Sequence, residues 1–333
     1  LQRSKRFHKT DLNRLWTENS INALETGTFK PKNEDEKQQQ EIYQILHELL
    51  NQETGPFYFF DLHTTSAPTI PFITVNDSLL NRKFTNQYPI PKILGIEECL
   101  EGPLLSYINE LGYVSFGFEG GQHDALDAIE NHKIFIYFSL MFSGILDTKA
   151  IDFNYHYNTW ANKSKDYASF FEIYSKYEVK ENEQFVMEPG FSNFQKVECG
   201  EHLATSDTAP IFSNKNSIIF MPLYQSQGND GYFLIEKIPP FFLWLSSILR
   251  KFNVDRIFTI LPGVKWILPQ KDTMKVNLNI ARFLTNDLLH LYGYRKKKKE
   301  QKYLIIKNRE YRSRTKEYNC EDWYKNSLNE FSV

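Results

Sequence analysis

The sequence predicts an α/β fold, a sheet flanked by helices, together with a second and smaller β-rich domain. Two observations lead to this prediction. Helical and strand patterns alternate through residues 1–150, as they do when helices cover a sheet. Near "DTKAIDFNY" the pattern changes to short β-type runs broken by Pro-Gly, Cys-Gly and Asn turns. We therefore assign residues 1–150 to the α/β domain and residues 151–333 to a β-rich domain with a helical and hairpin extension.

The first domain opens with a surface helix, a strand and a loop. Residues 34–52 place apolar side chains at helical spacing and Glu, Gln and Lys on the opposite face. The stretch "FYFFDLHTTSAP", residues 57–68, lies between Gly-Pro and Ser-Ala-Pro, which predicts a central strand of a covered sheet. Residues 66–95 are rich in Pro, Asn, Ser and Thr and predict a long loop with short strands, a common kind of binding loop.

Three further elements complete this domain, and helical patterns return late in the chain. Residues 101–112 predict a helix ended by Gly, residues 113–121 a buried strand halted by two glycines, and residues 124–146 a long helix. After Pro-Pro, "FFLWLSSILRKF" and "NIARFLTNDLLHLYGY" are again helical in pattern. The lysine run at residues 296–299 predicts a solvated hairpin turn.

Charge and composition exclude several classes of partner. The chain has 333 residues and a formal net charge of -2, which gives no general attraction to nucleic acid or to an anionic membrane. The longest apolar run, residues 134–146, is too short to span a membrane. Cys99, Cys199 and Cys320 match no zinc or redox spacing, which favours a reducing, cytoplasmic location. We expect neither nucleic acid nor a membrane as partner, and the sequence leaves homo-oligomer formation open.

Three short clusters carry residues suited to chemistry. Arg6 precedes "DLNR" at residues 11–14, and two arginines with an asparagine can hold a carboxylate; a loop of surface salt bridges is the alternative. His63 ends the first strand in "DLH", where a neutral imidazole can bind zinc or simply hydrogen-bond a turn. Glu119 ends an otherwise apolar strand in "FEGGQH". A buried carboxylate there suits a general base, with pairing to the following amides as the alternative.

In order and spacing these clusters resemble the succinylglutamate desuccinylase/aspartoacylase family, which has the zinc-carboxypeptidase-like fold with a mixed sheet. In that family an Arg precedes D-L-N-R, a strand ends in D-L-H, and a later strand ends in Glu-Gly. The matching residues here are Arg6 with "DLNR", "FDLHTT" and "FEGGQH". The segments "EPGFSNFQKVECGEHLA" and "FMPLYQSQGNDGYF" are also similar to segments of the family, so the resemblance covers roughly residues 3–235.

The resemblance implies a zinc-dependent hydrolase that cleaves the amide bond of an N-acyl amino acid or a related small carboxylate. His63 would be a ligand of one Zn²⁺ ion. Glu119 would be the general base that activates water and passes its proton to the leaving amine. Arg6 would polarise the scissile carbonyl, and Asn13 and Arg14 would hold the substrate carboxylate. These roles agree with the ordinary chemistry of zinc hydrolases.

The chain departs from the pattern of the family in two respects. The other two zinc ligands of the family lie in an H-x-x-E motif before D-L-N-R, and the chain contains no H-x-x-E. Because the chain opens at Leu1 without an initiator Met, we expect a fragment whose two further ligands are encoded upstream. The extra Arg that aspartoacylases carry before the general base is absent from "LSYINELGYVSFGFE", which argues against N-acetylaspartate as substrate. By looser analogy Tyr232 is a substrate contact, with core packing as the alternative.

Two other functions are consistent with the same residues. Asn13 and Arg14 could equally hold the C-terminal carboxylate of a peptide, which would make the protein a carboxypeptidase-like peptidase. Without its metal ligands the protein would be an inactive member of the family that acts as a binding module. An H-x-x-E directly upstream of Leu1 would favour an enzyme over the binding module.

Overall fold

The computed structural model describes residues 8–225, 228–267, 272–281, 286–300 and 302–329. In this part of the chain the α-helices are α1 (Glu18–Glu25), α2 (Glu34–Gln52), α3 (Leu79–Thr85), α4 (Leu104–Leu111), α5 (Leu126–Phe142), α6 (Phe153–Lys163), α7 (Pro240–Lys251), α8 (Asn286–Leu291) and α9 (Asp322–Asn329). The strands are β1 (Tyr58–Thr65), β2 (Phe72–Val75), β3 (Lys92–Leu94), β4 (Val114–Gln122), β5 (Phe170–Glu178), β6 (Phe185–Met187), β7 (Lys196–Val197), β8 (His202–Ser206), β9 (Ala209–Phe212), β10 (Ser217–Phe220), β11 (Asp230–Lys237), β12 (Val264–Ile267), β13 (Thr273–Asn277), β14 (Tyr294–Glu300) and β15 (Tyr303–Asn308). Short 3-10 helices span Leu12–Arg14, Ile96–Glu98, Thr148–Ala150, Val254–Ile260 and Thr315–Tyr318.

Eight strands form one mixed sheet in the order β1-β4-β2-β3-β5-β11-β10-β7. β1 is parallel to β4, β2 is antiparallel to β4, and β3 is parallel to both β2 and β5. A separate antiparallel sheet has the order β12-β13-β15-β14, and a three-stranded sheet has the order β6-β8-β9. The predicted α/β class, with a sheet flanked by helices and a smaller β-rich unit, is confirmed.

The eight-stranded sheet crosses the domain boundary predicted at residue 150. β5, β7, β10 and β11 all follow that residue, yet they extend the sheet begun by β1, β2, β3 and β4. A cut at residue 150 would therefore divide one sheet. The strands after residue 150 that have sheets of their own are β6, β8 and β9 in one sheet and β12 to β15 in another, and the assignment of residues 1–150 and 151–333 to two domains needs this correction.

The elements with strong periodicity follow the sequence prediction closely. α2 spans the predicted residues, and β1, α4, β4 and α5 lie within a few residues of theirs. The loop predicted over residues 66–95 contains an unpredicted helix, α3, which the side chain of Ser78 caps by accepting a hydrogen bond from Asn81 N at 3.1 Å. The lysine run at 296–299 lies within β14, at the edge of its sheet, and not in a turn. Among the described residues, no helix is both long and apolar enough to cross a membrane.

Alternation along β1 and β4 divides their side chains between two faces of the sheet. Phe116 and Phe118 enter a core cluster that also contains Phe135 of α5 and Trp160 of α6. On the opposite face, the early residues of β1 pack with α2 and α4 around Trp16. Toward the carboxyl ends of the two strands this second face carries polar residues, which places them in the candidate site.

A buried ionic network attaches the C-terminal elements to the first part of the chain. Arg250 of α7 donates from Nη2 to Asp77 Oδ2 at 2.7 Å and from Nη1 to Glu310 Oε1 at 3.2 Å. Arg309 donates from Nε to Glu97 Oε1 at 3.0 Å. Burial raises the pKa of Asp77, but the surrounding guanidinium groups, that of Arg250 foremost, hold the pKa well below its usual range. The carboxylate of Asp77 is therefore ionised in the folded protein.

His290 of α8 lies at the same contact between the C-terminal elements and the first part of the chain, and it is expected to make folding depend on pH. Its Nε2 lies 3.0 Å from Glu98 Oε1 and its Nδ1 lies 4.0 Å from Glu172 Oε2. Burial lowers the pKa of His290, but Glu172 and Glu98 raise it to about 9. Because the folded-state pKa is raised, the stabilisation is complete below pH about 6.5 and is lost as the pH rises through about 9.

We therefore expect the free energy of unfolding in urea to fall between pH 6.5 and 9 by more in the parent than in His290→Gln. The comparison removes the contribution of every other titrating group, since both proteins share those groups. Parallel pH profiles for the two proteins would show that His290 does not couple folding to pH.

Candidate active site

Four of the residues predicted from sequence line one cleft of about 1550 Å³ at the carboxyl ends of β1 and β4. They are Asn13, Arg14, His63 and Glu119. Arg6, the fifth, lies outside the described residues. Residues of the second half of the chain, Asp230 among them, line the same cleft. The structure thus brings together residues that are far apart in sequence, as the positions of the clusters at strand ends predicted.

The register of two parallel strands places His63 and Glu119 side by side. The two residues are direct partners across β1 and β4, and Asp61 is the partner of Gly117 two positions earlier. Residues two apart on a strand share a face, so Asp61, His63 and Glu119 point to the same side of the sheet. Glu119 is 7% exposed, whereas the side chain of His63 is 36% exposed. A buried carboxylate therefore lies next to an accessible imidazole.

Close packing explains the glycine that follows Glu119. A Cβ atom on Gly120 would lie 2.3 Å from Cε1 and 2.4 Å from Nδ1 of His132, and 3.1 Å from the carbonyl oxygen of Ala128. No side chain larger than hydrogen fits there unless α5 moves. Asn131 reinforces the contact by donating from Nδ2 to the carbonyl oxygen of Gly120 at 2.7 Å. The "EGG" segment of β4 is thus the point at which β4 and α5 meet behind the cleft.

Asn13 joins the aspartate and the histidine of the "DLH" segment in one hydrogen-bonded group. Nε2 of His63 lies 2.8 Å from Asp61 Oδ2. Asn13 donates from Nδ2 to the same oxygen at 3.1 Å and lies 3.2 Å from His63 Nε2, while its Oδ1 accepts from Leu104 N at 3.2 Å. Burial raises the pKa of Asp61, but its hydrogen bond with His63 and the contact with Asn13 hold the pKa below its ordinary value. Asp61 is therefore an ionised acceptor that fixes the imidazole.

Arg14 is engaged by an acidic residue that sequence reasoning did not find. Its Nη2 donates to Asp230 Oδ2 at 3.1 Å, and Lys176 Nζ lies 2.7 Å from Asp230 Oδ1. Lys176 also donates to the carbonyl oxygen of Cys99 at 3.0 Å. Asp230 and Lys176 belong to β11 and β5, which meet the loop of Arg14 only in the folded chain. The one feature of the local sequence that could have indicated Asp230 is its place in "GNDGYF", where an acidic residue comes directly before an apolar run.

Three more imidazoles, those of His8, His123 and His132, line the cleft and were given no role from sequence. His123 donates from Nε2 to Gln225 Oε1 at 3.2 Å, and its Nδ1 lies 2.8 Å from Thr64 Oγ1. This contact links the ends of β1 and β4 to a loop after β10. His132 Nδ1 lies 2.6 Å from the carbonyl oxygen of Ala128, so Nδ1 carries the proton of the neutral ring. His123 belongs to the "FEGGQH" segment that the sequence analysis singled out, whereas no motif around His132 indicated a place in the cleft.

Tyr232 does not contact the cleft, which contradicts its prediction as a substrate contact. It is 5% exposed on β11, and its ring stacks on Tyr177 with the centroids 5.6 Å apart. It belongs to a core cluster with Leu203 and Leu234. The pairing of β11 with β5 shifts register between Asp230, which lines the cleft, and Tyr232, so core packing is the role that the structure supports for Tyr232.

The described residues do not complete a metal site around His63. Asp61 is its acidic neighbour at 2.8 Å, and among the described residues no group of three or more His, Cys, Asp and Glu side chains could hold a metal ion. Zinc in proteins takes at least three such ligands. The two further ligands predicted upstream of Leu1 therefore remain a prediction.

Comparison with known proteins gives similarity of fold at low sequence identity. No protein-family model and no curated protein sequence matches the chain. Solved structures of the succinylglutamate desuccinylase/aspartoacylase family are similar to it over about 70% of its length. A succinylglutamate desuccinylase from Vibrio cholerae has a TM-score of 0.49 and 14% identity, covering 71% of this chain and 67% of that one. A succinylglutamate desuccinylase/aspartoacylase from Rhodobacter sphaeroides has a TM-score of 0.48 and 15% identity, covering 72% of each chain. A murine aminoacylase 3 variant has a TM-score of 0.44 and 14% identity, covering 70% of this chain and 78% of that one.

Proposed function

We propose that the chain is a hydrolase that cleaves the amide bond of an N-acyl amino acid or a related small carboxylate. The placement of Glu119 beside His63 on the cleft side of two adjacent parallel strands is the observation that carries this proposal. Arg14 lines the same cleft and can bind an anionic group of the substrate. The sequence motifs, read from the residues themselves, favour the same chemistry.

Glu119 is the group proposed to move the proton. It takes a proton from a water molecule as the water oxygen bonds to the carbonyl carbon, which gives a tetrahedral intermediate. The carbon–nitrogen bond then breaks, and the proton held by Glu119 passes to the departing nitrogen. The products are a carboxylic acid and an amine. The low exposure of Glu119, 7%, keeps bulk water from competing for this proton.

The Asn13–Asp61–His63 group is proposed to hold the imidazole in one orientation. Asp61 accepts at 2.8 Å from His63 Nε2, which sets the tautomer, and Asn13 restrains the carboxylate. Zinc dependence belongs to the proposal through His63 alone, since the described residues do not complete a zinc site. The zinc ion, where bound, would supply Lewis acidity to the cleft. Arg6 is proposed to polarise the scissile carbonyl.

The size of the cleft favours a second candidate, a carboxypeptidase-like peptidase. Small-molecule sites usually have volumes of roughly 300 to 1,000 Å³. The cleft here has about 1550 Å³, which leaves room for several residues of a peptide whose terminal carboxylate would bind Arg14. Both candidates use Glu119 in the same way, so they differ in the substrate and not in the proton transfer.

A hydrolysis panel tests the proposal and separates the two candidates. Purified protein, with and without added Zn²⁺, is incubated with N-acetyl and N-succinyl amino acids and with peptides that end in a free carboxylate, and released amines are quantified. The deacylase proposal predicts turnover of the N-acyl amino acids, and the peptidase predicts stepwise release of C-terminal residues. Binding of these compounds without hydrolysis under any condition would instead identify an inactive binding module.

Asp230→Asn is expected to lower the KM for a substrate carboxylate roughly two- to fivefold, the range of one partly exposed ion pair, with little change in kcat. Asp230 occupies Arg14 and Lys176 in the cleft, so its carboxylate competes with that of the substrate. Steady-state kinetics give both constants. Glu236→Gln is the matched control, because Glu236 pairs with Lys215 and does not line the cleft. A raised KM in Asp230→Asn would show that Asp230 positions Arg14 and does not compete with the substrate.

A further inference from the structure

Helix α7 buries polar residues and exposes aromatic ones, the reverse of the usual arrangement. Its buried residues are Ser246 and Arg250, which lie four positions apart on one face. The opposite face presents Phe241 and Trp244, which are 59% and 44% exposed, and Phe252, directly after the helix, is 69% exposed. A surface helix ordinarily buries its apolar face. The ionic network around Arg250 fixes the helix in this orientation, so packing within the described chain leaves these aromatic side chains in solvent.

The exposed apolar surface continues beyond α7. The ring centroids of Phe241 and Trp244 are 5.8 Å apart, and those of Phe241 and Phe242 are 5.5 Å apart, so the aromatics form one cluster. In the 3-10 helix that follows, Ile257 and Ile260 are 54% and 81% exposed. Exposed apolar side chains that cluster in this way mark an interaction site. We call the exposed face of α7 and this 3-10 helix the aromatic face.

The exposed charges in the stretch of sequence that carries the aromatic face are of one sign. Between residues 238 and 267 the exposed charged side chains are Lys251, Arg256 and Lys265. The acid in this stretch, Asp255, is buried and accepts a hydrogen bond from Tyr294 Oη at 2.6 Å. From residue 240 onward, basic residues outnumber acidic ones about two to one, although the net charge of the whole chain is -2. The near-neutral average that led us to expect no membrane partner therefore conceals a basic C-terminal part.

We propose that the aromatic face docks on the surface of an anionic lipid membrane. Phe and Trp side chains partition into the boundary between headgroups and acyl chains, and Lys and Arg beside them attract anionic headgroups. The three exposed cations supply this complementarity, and no exposed acid in the stretch opposes it. α7 has 12 residues, so it lies in the interface and does not span the bilayer. This proposal stands independently of the hydrolase chemistry.

Vesicle sedimentation with the full chain tests the proposal. The parent is expected to co-sediment with phosphatidylcholine vesicles that contain roughly one-third phosphatidylserine, and to do so less at high salt. Phe241→Ser/Trp244→Ser/Phe252→Ser should weaken this binding by a factor on the order of 10². Lys251→Glu/Arg256→Glu/Lys265→Glu should weaken it by a factor on the order of 10² as well, with no effect on vesicles of phosphatidylcholine alone.

The exposed side of α5 provides a matched control. Leu126, Ile129 and Ile136 are 82%, 60% and 45% exposed, but Asp127 and Glu130 lie among them. Leu126→Ser/Ile129→Ser/Ile136→Ser should sediment as the parent does. Equal far-ultraviolet circular dichroism and urea midpoints show that all variants are folded.

Three outcomes would overturn the proposal. The parent could fail to bind the phosphatidylserine vesicles, or the α5 and α7 variants could lose binding equally. Sedimentation velocity could also show a dimer of the parent that the α7 variant does not form, in which case a second copy of the chain covers the aromatic face.

Discussion

Glu119→Gln is expected to lower the turnover number for amide hydrolysis by a factor on the order of 10² to 10⁴, the usual range for a general base. The amide fills the volume of the carboxylate on β4 but cannot accept a proton from water. KM should change little, because the carboxylate of the substrate is proposed to bind at Arg14 and not at Glu119. The hydrolysis of the best substrate from the panel, followed by amine release, measures both constants.

Glu181→Gln is the matched control for this loss. Glu181 is exposed in the turn between β5 and β6 and does not line the cleft, so its amide variant should hydrolyse the substrate as the parent does. If Glu119→Gln also hydrolysed at the parental rate, Glu119 would be a structural carboxylate, and the proposed proton transfer would have no acceptor.

His63→Ala distinguishes a metal ligand from a proton acceptor. Loss of a zinc ligand lowers bound zinc together with activity, whereas Glu119→Gln should leave bound zinc unchanged. Zinc content, measured on protein exposed to the ion and then dialysed, is a readout that does not depend on turnover. In a parent that retains zinc after dialysis, equal zinc content in His63→Ala would remove His63 from the proposed ligands.

Much of the fold follows from local sequence signals. α2, β1, β4 and α5 are long and strongly periodic, and Gly, Pro or polar residues bound them, so their patterns were sufficient. α3 was missed because seven residues give barely two turns of periodicity, and the burial of its Leu80 and Phe84 is set by the sheet and α9. The continuation of the sheet past residue 150 depends on β5 pairing with β3, a contact between distant segments that short β-type runs do not reveal.

In the candidate site, too, the residues marked by local patterns could be predicted, and those placed by contacts between distant segments could not. His63 and Glu119 could be predicted because each lies near the carboxyl end of a recognisable strand, and parallel pairing then places them side by side. Asp230 lies 216 residues from the arginine that it contacts, so no local pattern could join the two. Tyr232 failed for a related reason. A loose analogy to the family suggested a contact with substrate, but the ring of Tyr232 is buried in the core with Leu203 and Leu234.

Arg250→Met is expected to lower the free energy of unfolding by roughly 3 to 5 kcal/mol, the range for breaking a buried ion pair. The side chain of Arg250 is 0% exposed and that of Asp77 is 5% exposed, so loss of the cation leaves a carboxylate with fewer partners away from water. Arg250 also donates to the carbonyl oxygens of Asp77 and His290, at 2.9 and 2.5 Å, and these acceptors lose their donor. Arg82 and Arg309 still face Asp77, which places the loss near the lower end of the range.

Urea unfolding of the parent and three variants tests this reasoning. Lys133→Met breaks an exposed pair with Glu130, in which the side chains are 59% and 63% exposed, and should change stability by no more than about 0.5 kcal/mol. Arg250→Lys keeps the charge but loses the planar fork that reaches two carboxylates and the carbonyls, so an intermediate loss is expected. A loss in Arg250→Met as small as that in Lys133→Met would show that the network does not hold the C-terminal elements.

Because Arg309 binds Glu97, which lines the cleft, a destabilised interface should also loosen one wall of the proposed active site. Arg309→Met is therefore expected to raise KM at temperatures where the protein is still folded.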